Sequence, residues 1–499
     1  MASKKSSPQV EVPITRREVL KGAAALAAAG AGTALGCDAG SGGDLPTGGV
    51  GVGDNLSTAG RVAIVGGGAG GIAAAYFLSG TVGVDIFEAR GQIGGHCESH
   101  TISYQGQPIT VDLGAQFFHP DTHPIYVALL EELGLYDPDH PDTDQTIEAP
   151  GSLCIYPVAG GAPTFSSTHP LSTPFVAIDF AVYSQFARQA VLTNMPYEVT
   201  VDDWIRSLPV TQSFKNTILY PWITSLIGCS RANALRASAR SILQTFALAF
   251  PANIFQGATT YNSAIGLQGN LQRMLDRAPG AQVFVNAPAQ ALSFDAASGW
   301  FVTTPAGRQG PYRAVVLNAP PLTGRELLRP LSAYADVTAL LDVYEYFQSR
   351  LLIHTDPTYV QRDRSNWAAY NAGVDGLECE GSAWLGAFHE KLPTGGTVDV
   401  FKSWAERRHA DPTEILLQRT FQHPLISKST IAAARGLRPL QGRNGLYFSG
   451  QYTTGMDLQE AAVYSAMKVA AALAPASPTL ASLNARLTAS GHTGISYDL

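Results

Sequence analysis

The sequence predicts an α/β protein: a parallel sheet with crossover helices and a small β-meander, interrupted by an inserted α+β domain. Three observations carry that expectation. The β-branched run Arg61–Val65 leads through a glycine-dense turn into the helix-forming segment Ile72–Leu78, the order expected of a buried parallel strand and its crossover. Short strand-like runs follow one another at 283–286, 291–294, 300–304 and 314–317, spaced as a final sheet strand preceded by a meander. Between these regions, residues 174–250 read as mainly helical and carry few charges, so their helices are expected to bury much surface.

The chain has 499 residues, 45% hydrophobic and 15% charged, enough apolar material for more than one core. Its net charge is −7 and it has no basic stripe, which argues against a nucleic-acid partner. Cysteines at 37, 97, 154, 229 and 379 form no CxxC and no Cys/His cluster. No zinc or iron–sulfur site is expected, and no disulfide framework. The four beyond Cys37 read as free buried thiols.

The first sixty residues read as an address and a tether. Thr15-Arg16-Arg17-Glu18-Val19-Leu20-Lys21, followed by an Ala/Leu/Gly run to Gly36, has the form of a twin-arginine export signal. Ala34-Leu35-Gly36-Cys37 resembles a lipoprotein cleavage box, with an Ala in the leading position. Residues 1–37 are therefore expected to direct export to the periplasm or the outer face of the membrane, with or without a lipid anchor at Cys37. Residues 38–60, rich in Gly, Ser, Thr and Asp, read as a flexible linker.

Gly66, Gly68 and Gly71 fit G-x-G-x-x-G between strand and helix, with Ala69 and Gly70 inside the motif. The first glycine allows a tight turn, the second a close approach of backbone to a diphosphate, and the third close packing of helix on strand. The diphosphate then meets free N–H groups at the helix N-terminus. A second strand, Val82–Phe87, ends in Glu88, 22 positions after Gly66, where an acid accepts hydrogen bonds from a ribose. This is the constellation of a Rossmann-like dinucleotide site.

Further along, His123–Leu133 reads as an amphipathic helix stopped by Gly134. Helices are expected over 175–192, 201–207, 213–227 and 232–250, and an Ala-rich one over Gln459–Leu473 after the strand-and-loop Gly445–Gly450. The expected dinucleotide domain comprises 61–125, 262–325 and 431–475, the substrate domain 126–261 and 326–430, and 476–499 a C-terminal tail.

Arg90-Gly91-Gln92-Ile93-Gly94-Gly95-His96 resembles the arginine-plus-double-glycine segment of FAD-dependent amine oxidases and phytoene desaturases, with His96 where Arg is usual. Val111-Asp112-Leu113-Gly114-Ala115-Gln116 and Tyr447-Phe448-Ser449-Gly450 … Leu458-Gln459-Glu460-Ala461-Ala462 resemble the flavin-side segments of the same superfamily. The resemblance to the FAD-dependent amine oxidase superfamily spans about 61–475. It implies non-covalent FAD, held by the fingerprint residues, Glu88, Arg90, Gly94, Gly95 and His96. It also implies contacts from Gly114, Ala115, Gln116, Ala289, Gly450, Gln451 and Gln459. The implied activity is oxidation of a small organic molecule by hydride transfer, with a separate electron acceptor. Desaturation or isomerisation of a lipid-like chain is an alternative, as is a flavin-binding protein without catalysis. A closer similarity is to predicted NAD/FAD-binding proteins of this superfamily that share Gly94–His96, the segment 353–371 and Phe421-Gln422-His423-Pro424.

Two features depart from amine oxidases. Their lysine on a substrate-domain strand has no counterpart in Arg350–Thr355, and no lysine lies between Lys215 and Lys391. The aromatic position flanking the final helix is Leu458. His119, close in sequence to the flavin-side turn, and Tyr452 are the candidate catalytic residues. A capping histidine and a packed tyrosine are the competing explanations. Lys402 reads as an exposed charge, and His354 and Trp367 as core.

Overall fold

The computed structural model describes residues 60–141, 145–251, 257–389, 392, 395–408, 410–492 and 494–499. The export signal, Cys37 and the linker up to residue 59 lie outside them. Among the described residues no helix is long and apolar enough to cross a membrane.

Five parallel strands form the central sheet, in the order Ala281–Phe284, Val84–Phe87, Val62–Val65, Ala314–Leu317, Leu446–Phe448. The middle three are buried along their whole length, as parallel strands covered on both faces must be. Side-chain alternation divides them between two cores. Val62, Ile64, Val84, Ile86, Ala314 and Val316 face helices Ala69–Leu78, Pro124–Leu133, Gly266–Asp276 and Gln459–Leu473. Ala63, Val65, Phe87, Val315 and Leu317 face the meander Ala291–Asp295, Gly299–Thr304, Gly307–Tyr312 and helices Pro321–Leu328, Ala335–Leu341 and Lys428–Leu437.

A second, seven-stranded mixed sheet runs Ile415–Pro424, Tyr346–His354, Phe401–Trp404, Glu378–Trp384, Tyr370–Asp375, Leu153–Pro157, Phe165–Ser166. Leu153, Ile155, Phe165 and Ala372 pack against helices Pro174–Leu192, Val201–Ser207, Tyr220–Ile227 and Ala239–Phe246. The sheet thus draws on both expected parts of the substrate domain.

The structure corrects several expectations. The helix expected over 232–250 is two, Arg231–Arg236 and Ala239–Phe246. The break is tertiary: the Ala237 carbonyl accepts from Val201, and the Ser238 N–H donates to the Ile426 carbonyl. The stretch 213–227 begins at Gln212 and carries a π-turn at Lys215–Leu219. The boundary at 126 cuts Pro124–Leu133, which packs wholly in the dinucleotide domain, and that domain also takes the helices within 326–341. The tail is an ordered helix, Pro478–Ala489, whose Leu480, Leu483 and Leu487 join the same core.

Candidate functional site

The fingerprint glycines act as their positions demand. Gly66 has φ of +105°, and a Cβ there would stand 3.0 Å from the Asn318 backbone. The Asn318 side chain donates to the Gly66 carbonyl at 3.0 Å. At Gly71 a Cβ would come within 2.1 Å of that same carbonyl, so only glycine lets the helix sit this close to the strand. Helix Ala69–Leu78 has no side-chain cap. Its start, with Gly66, Gly68, Ala69 and Gly70, opens instead on a cavity of about 620 Å³, which leaves the first N–H groups free for an anion.

Three further segments complete this wall. Glu88 is buried, and its carboxylate accepts from the N–H groups of Gly67 (2.7 Å) and Arg90 (2.8 Å). The Arg90 guanidinium donates to Glu98 (2.6 Å) and to the Gly95 carbonyl (2.9 Å). Gly94 donates to the Gly67 carbonyl at 2.9 Å, and a Cβ on Gly95 would meet Gly68 Cα at 3.1 Å. The double glycine therefore lies directly on the fingerprint turn. Ala115 donates to the His96 carbonyl at 2.8 Å, and a Cβ on Gly114 would fall 1.9 Å from that oxygen.

Across the cavity stand Ala289, Gln451, Leu458 and Gln459. Gln459 begins the helix Gln459–Leu473. It donates to the Phe117 carbonyl at 2.9 Å, while its Oε1 is buried without a partner. Gly71, Gln116 and Gly450 stand behind the lining rather than in it. Beyond the nucleotide wall the cavity continues between Tyr346, Phe347, Trp404 and Phe421 toward Leu226, Ile227, Ala237 and Ile242 of the helical layer.

The candidate catalytic residues fare differently. His119 is outside this lining; its N–H donates to His123 and its ring lies 5.9 Å from that of Tyr261. Tyr452 does line the cavity, but its hydroxyl donates to the Leu317 carbonyl at 2.9 Å, and burial raises its pKa well above the usual value. It is packed, not poised. His354, within the substrate sheet, bonds Ser403, and Trp367, in the turn before strand Tyr370–Asp375, packs on Phe401.

Lys402 is not an exposed charge. It is 1% exposed, on strand Phe401–Trp404 opposite Ile353 of Tyr346–His354. Its ammonium donates to the carbonyl of Gly114. Burial pushes it down to about 8, with the Asp112 charge acting the other way. Burial also pushes Asp112 up to about 6, against hydrogen bonds from Ser99 and Leu267 and the charge of Lys402. The strand expected to carry a lysine lacks one, and its neighbour supplies it. The signal lay in Val400, Lys402 and Trp404, which alternation places on one face.

A second polar group was invisible in sequence. His96, His423 and Asp457 meet in the cavity, their ligand-capable atoms all within 4.8 Å of one another. His423 Nδ1 lies 3.1 Å from Asp457 Oδ2, and the two imidazole centroids are 4.5 Å apart. Burial pushes His96 down to about 3. Burial would raise Asp457, but the hydrogen bond and charge of His423 hold it below its usual value. The four described cysteines are free and buried, each pushed up to about 12 by burial.

Residues 64–133 match the model of an NAD(P)-binding Rossmann-like domain. No curated protein matches the sequence. Among solved structures, a protein assigned as a protoporphyrinogen oxidase from Exiguobacterium sp. 255-15 is similar. It is 14% identical, with a TM-score of 0.57 over 84% of this chain and 99% of its own. The CLA-producing fatty acid isomerase from P. acnes is 14% identical, with a TM-score of 0.58 over 83% and 99%. A putrescine oxidase with putrescine bound is 17% identical, with a TM-score of 0.56 over 83% and 98%. This chain has the amine-oxidase fold. Within that fold, the matched segment 64–133 holds the fingerprint, Glu88, the double glycine and the Gly114–Ala115 turn.

Proposed function

We infer that the protein is an FAD-dependent oxidoreductase that oxidises a small organic molecule with an apolar body, after export from the cytoplasm. One observation carries this reading. An uncapped helix N-terminus, a buried acid at the end of the second strand and a double glycine all open on one cavity, which then runs on into apolar walls.

The residues fit the cofactor. Free N–H groups at Gly68–Gly70 suit a diphosphate, and Glu88 suits a ribose while its charge disfavours a 2′-phosphate. At the far side, the N-terminus of Gln459–Leu473 and the unpartnered Oε1 of Gln459 offer a positive dipole end and a hydrogen-bond acceptor. Bound FAD supplies hydride acceptance, which the chain itself lacks. The protein's own contribution is orientation and exclusion of water. Lys402 anchors the Gly114 turn from behind, while Phe347, Trp404 and Phe421 wall the substrate space.

A lipid-directed isomerase or desaturase is the second reading, favoured by Leu226, Ile227, Ala237 and Ile242 at the far wall. The test is spectroscopic. The purified protein is expected to be yellow with bound flavin, and an amine, amino acid or other reductant substrate to bleach it anaerobically, with colour returning in air. Turnover of an unsaturated fatty acid without net bleaching favours the second reading. A colourless protein that takes up no added FAD overturns both.

A further inference from the structure

Imidazoles do not crowd together without cause. His96 follows the double glycine, His423 lies near the end of strand Ile415–Pro424, and Asp457 immediately precedes the turn into helix Gln459–Leu473. Three elements far apart in sequence thus deliver two rings and a carboxylate to one corner of the cavity. His423 and Asp457 satisfy each other as a hydrogen-bonded pair. His96 is not satisfied: among the described residues its ring nitrogens have no hydrogen-bond partner, yet its ring sits 4.5 Å from that of His423. Phe421 and Phe347 brace the two rings, at 5.1 Å from His96 and 5.6 Å from His423.

We propose that His96, His423 and Asp457 form a binding site for a divalent first-row transition-metal ion, held by two imidazole nitrogens and one carboxylate oxygen. Metal–ligand bonds of about 2.0–2.2 Å place neighbouring ligand atoms roughly 3 Å apart. The His423–Asp457 pair already has that spacing, at 3.1 Å. The three atoms span no more than 4.8 Å, so closing the set to roughly 3 Å asks for a shift of at most about 2 Å by the His96 ring, a side-chain adjustment of the kind common on binding. Two nitrogens and one oxygen suit zinc or ferrous iron and disfavour magnesium and calcium, which take oxygen ligands.

Three protein ligands leave a coordination position open, as in catalytic rather than structural sites. The three residues line the cavity, so that position is offered to a substrate oxygen: a hydroxyl, carboxylate or carbonyl. Its binding there is ligand exchange. Water leaves, the substrate oxygen takes its place, and no electrons move. The site lies in the same cavity as the nucleotide wall, and His96, which follows the double glycine, borders both.

The test uses the full chain as purified, stripped with a chelator and dialysed against micromolar free zinc. The expected result is about one zinc per chain by elemental analysis. His423→Ala and Asp457→Asn should each weaken retention by roughly 100-fold, at least the loss that an outer-shell partner can cause. His140→Ala, an exposed histidine, should retain it. Should either cavity variant misfold, zinc-edge X-ray absorption of the wild-type protein still decides: a shell of nitrogen and oxygen with two imidazoles is expected. Absence of retained zinc, a shell containing sulfur, or fewer than two imidazoles overturns the proposal. Flavin absorbance read on the same samples separates the outcomes, since zinc without colour would refute only the cofactor and colour without zinc only the metal site.

Discussion

Replacing Lys402 with methionine tests whether a full charge is stored under the flavin-side turn. Methionine keeps the length of the side chain and removes the ammonium. In the wild type, burial lowers that group from 10.5 to about 8. At about 1.36 kcal/mol per decade, this corresponds to a penalty of about 3 kcal/mol for holding the proton inside the fold. The discount for solvent screening is small, because the side chain is 1% exposed. Below about 8, both folded and unfolded chains carry the proton and the folded one bears the whole penalty. Between about 8 and 10.5 the unfolded chain keeps a proton that the folded one has released, so stability rises with pH. Lys402→Met should therefore show no such rise at this site, and the wild type should gain about 3 kcal/mol on it between pH 7.5 and 10.5. Denaturant unfolding of the two flavin-free proteins across that range measures the difference. A difference that stays flat with pH would show that the ammonium reaches solvent or is fully paired, and the burial argument would fail.

Gly114→Ala drives a Cβ to within 1.9 Å of the His96 carbonyl; a cost of about 3 kcal/mol is expected, with loss of retained flavin, whereas Gly91→Ala, with 3.4 Å to its nearest neighbour, should be near neutral in thermal melts. Glu88→Gln removes the charge that accepts from Gly67 and Arg90, and flavin affinity should fall by roughly 10- to 100-fold, the worth of a charged hydrogen bond, in a fluorescence-quenching titration of the apoprotein. Glu460 is fully buried, and burial pushes it up to about 7 against hydrogen bonds from Tyr126, Tyr497 and Ile125. Its contribution to stability is present below about 4.5 and lost as pH rises through about 7, so wild-type stability should decline over that window relative to Glu460→Gln, as measured by unfolding midpoints.

What could be read from the sequence was local. Strand, turn and helix at 62–78 are adjacent in the chain, and each glycine there answers a steric demand set by its neighbours, so the pattern carries its own explanation. The helix Gln459–Leu473 has the expected bounds for the same reason. Long-range pairing was not legible. Lys402 is buried because Ile353 lies opposite it and the Gly114 turn lies over it, neither near it in sequence. The break at Ala237–Ser238 depends on Val201 and Ile426. The C-terminal helix had a start signal in Ser477-Pro478, where Ser477 accepts from the Leu480 N–H, but the Pro/Ala/Ser/Thr composition concealed it. His96 read as a cofactor contact and His423 as a motif member without a purpose, since only the fold brings them together beside Asp457.

The central sheet takes its strands from residues 62, 84, 281, 314 and 446 onward, and Tyr497 hydrogen-bonds Glu460 behind it. A nascent chain emerging from the ribosome would thus hold the first two strands, paired with each other, until the next strand of the sheet follows at Ala281. Contacts of such sequence separation form slowly, so closure of the central sheet should wait on synthesis of the strand Leu446–Phe448.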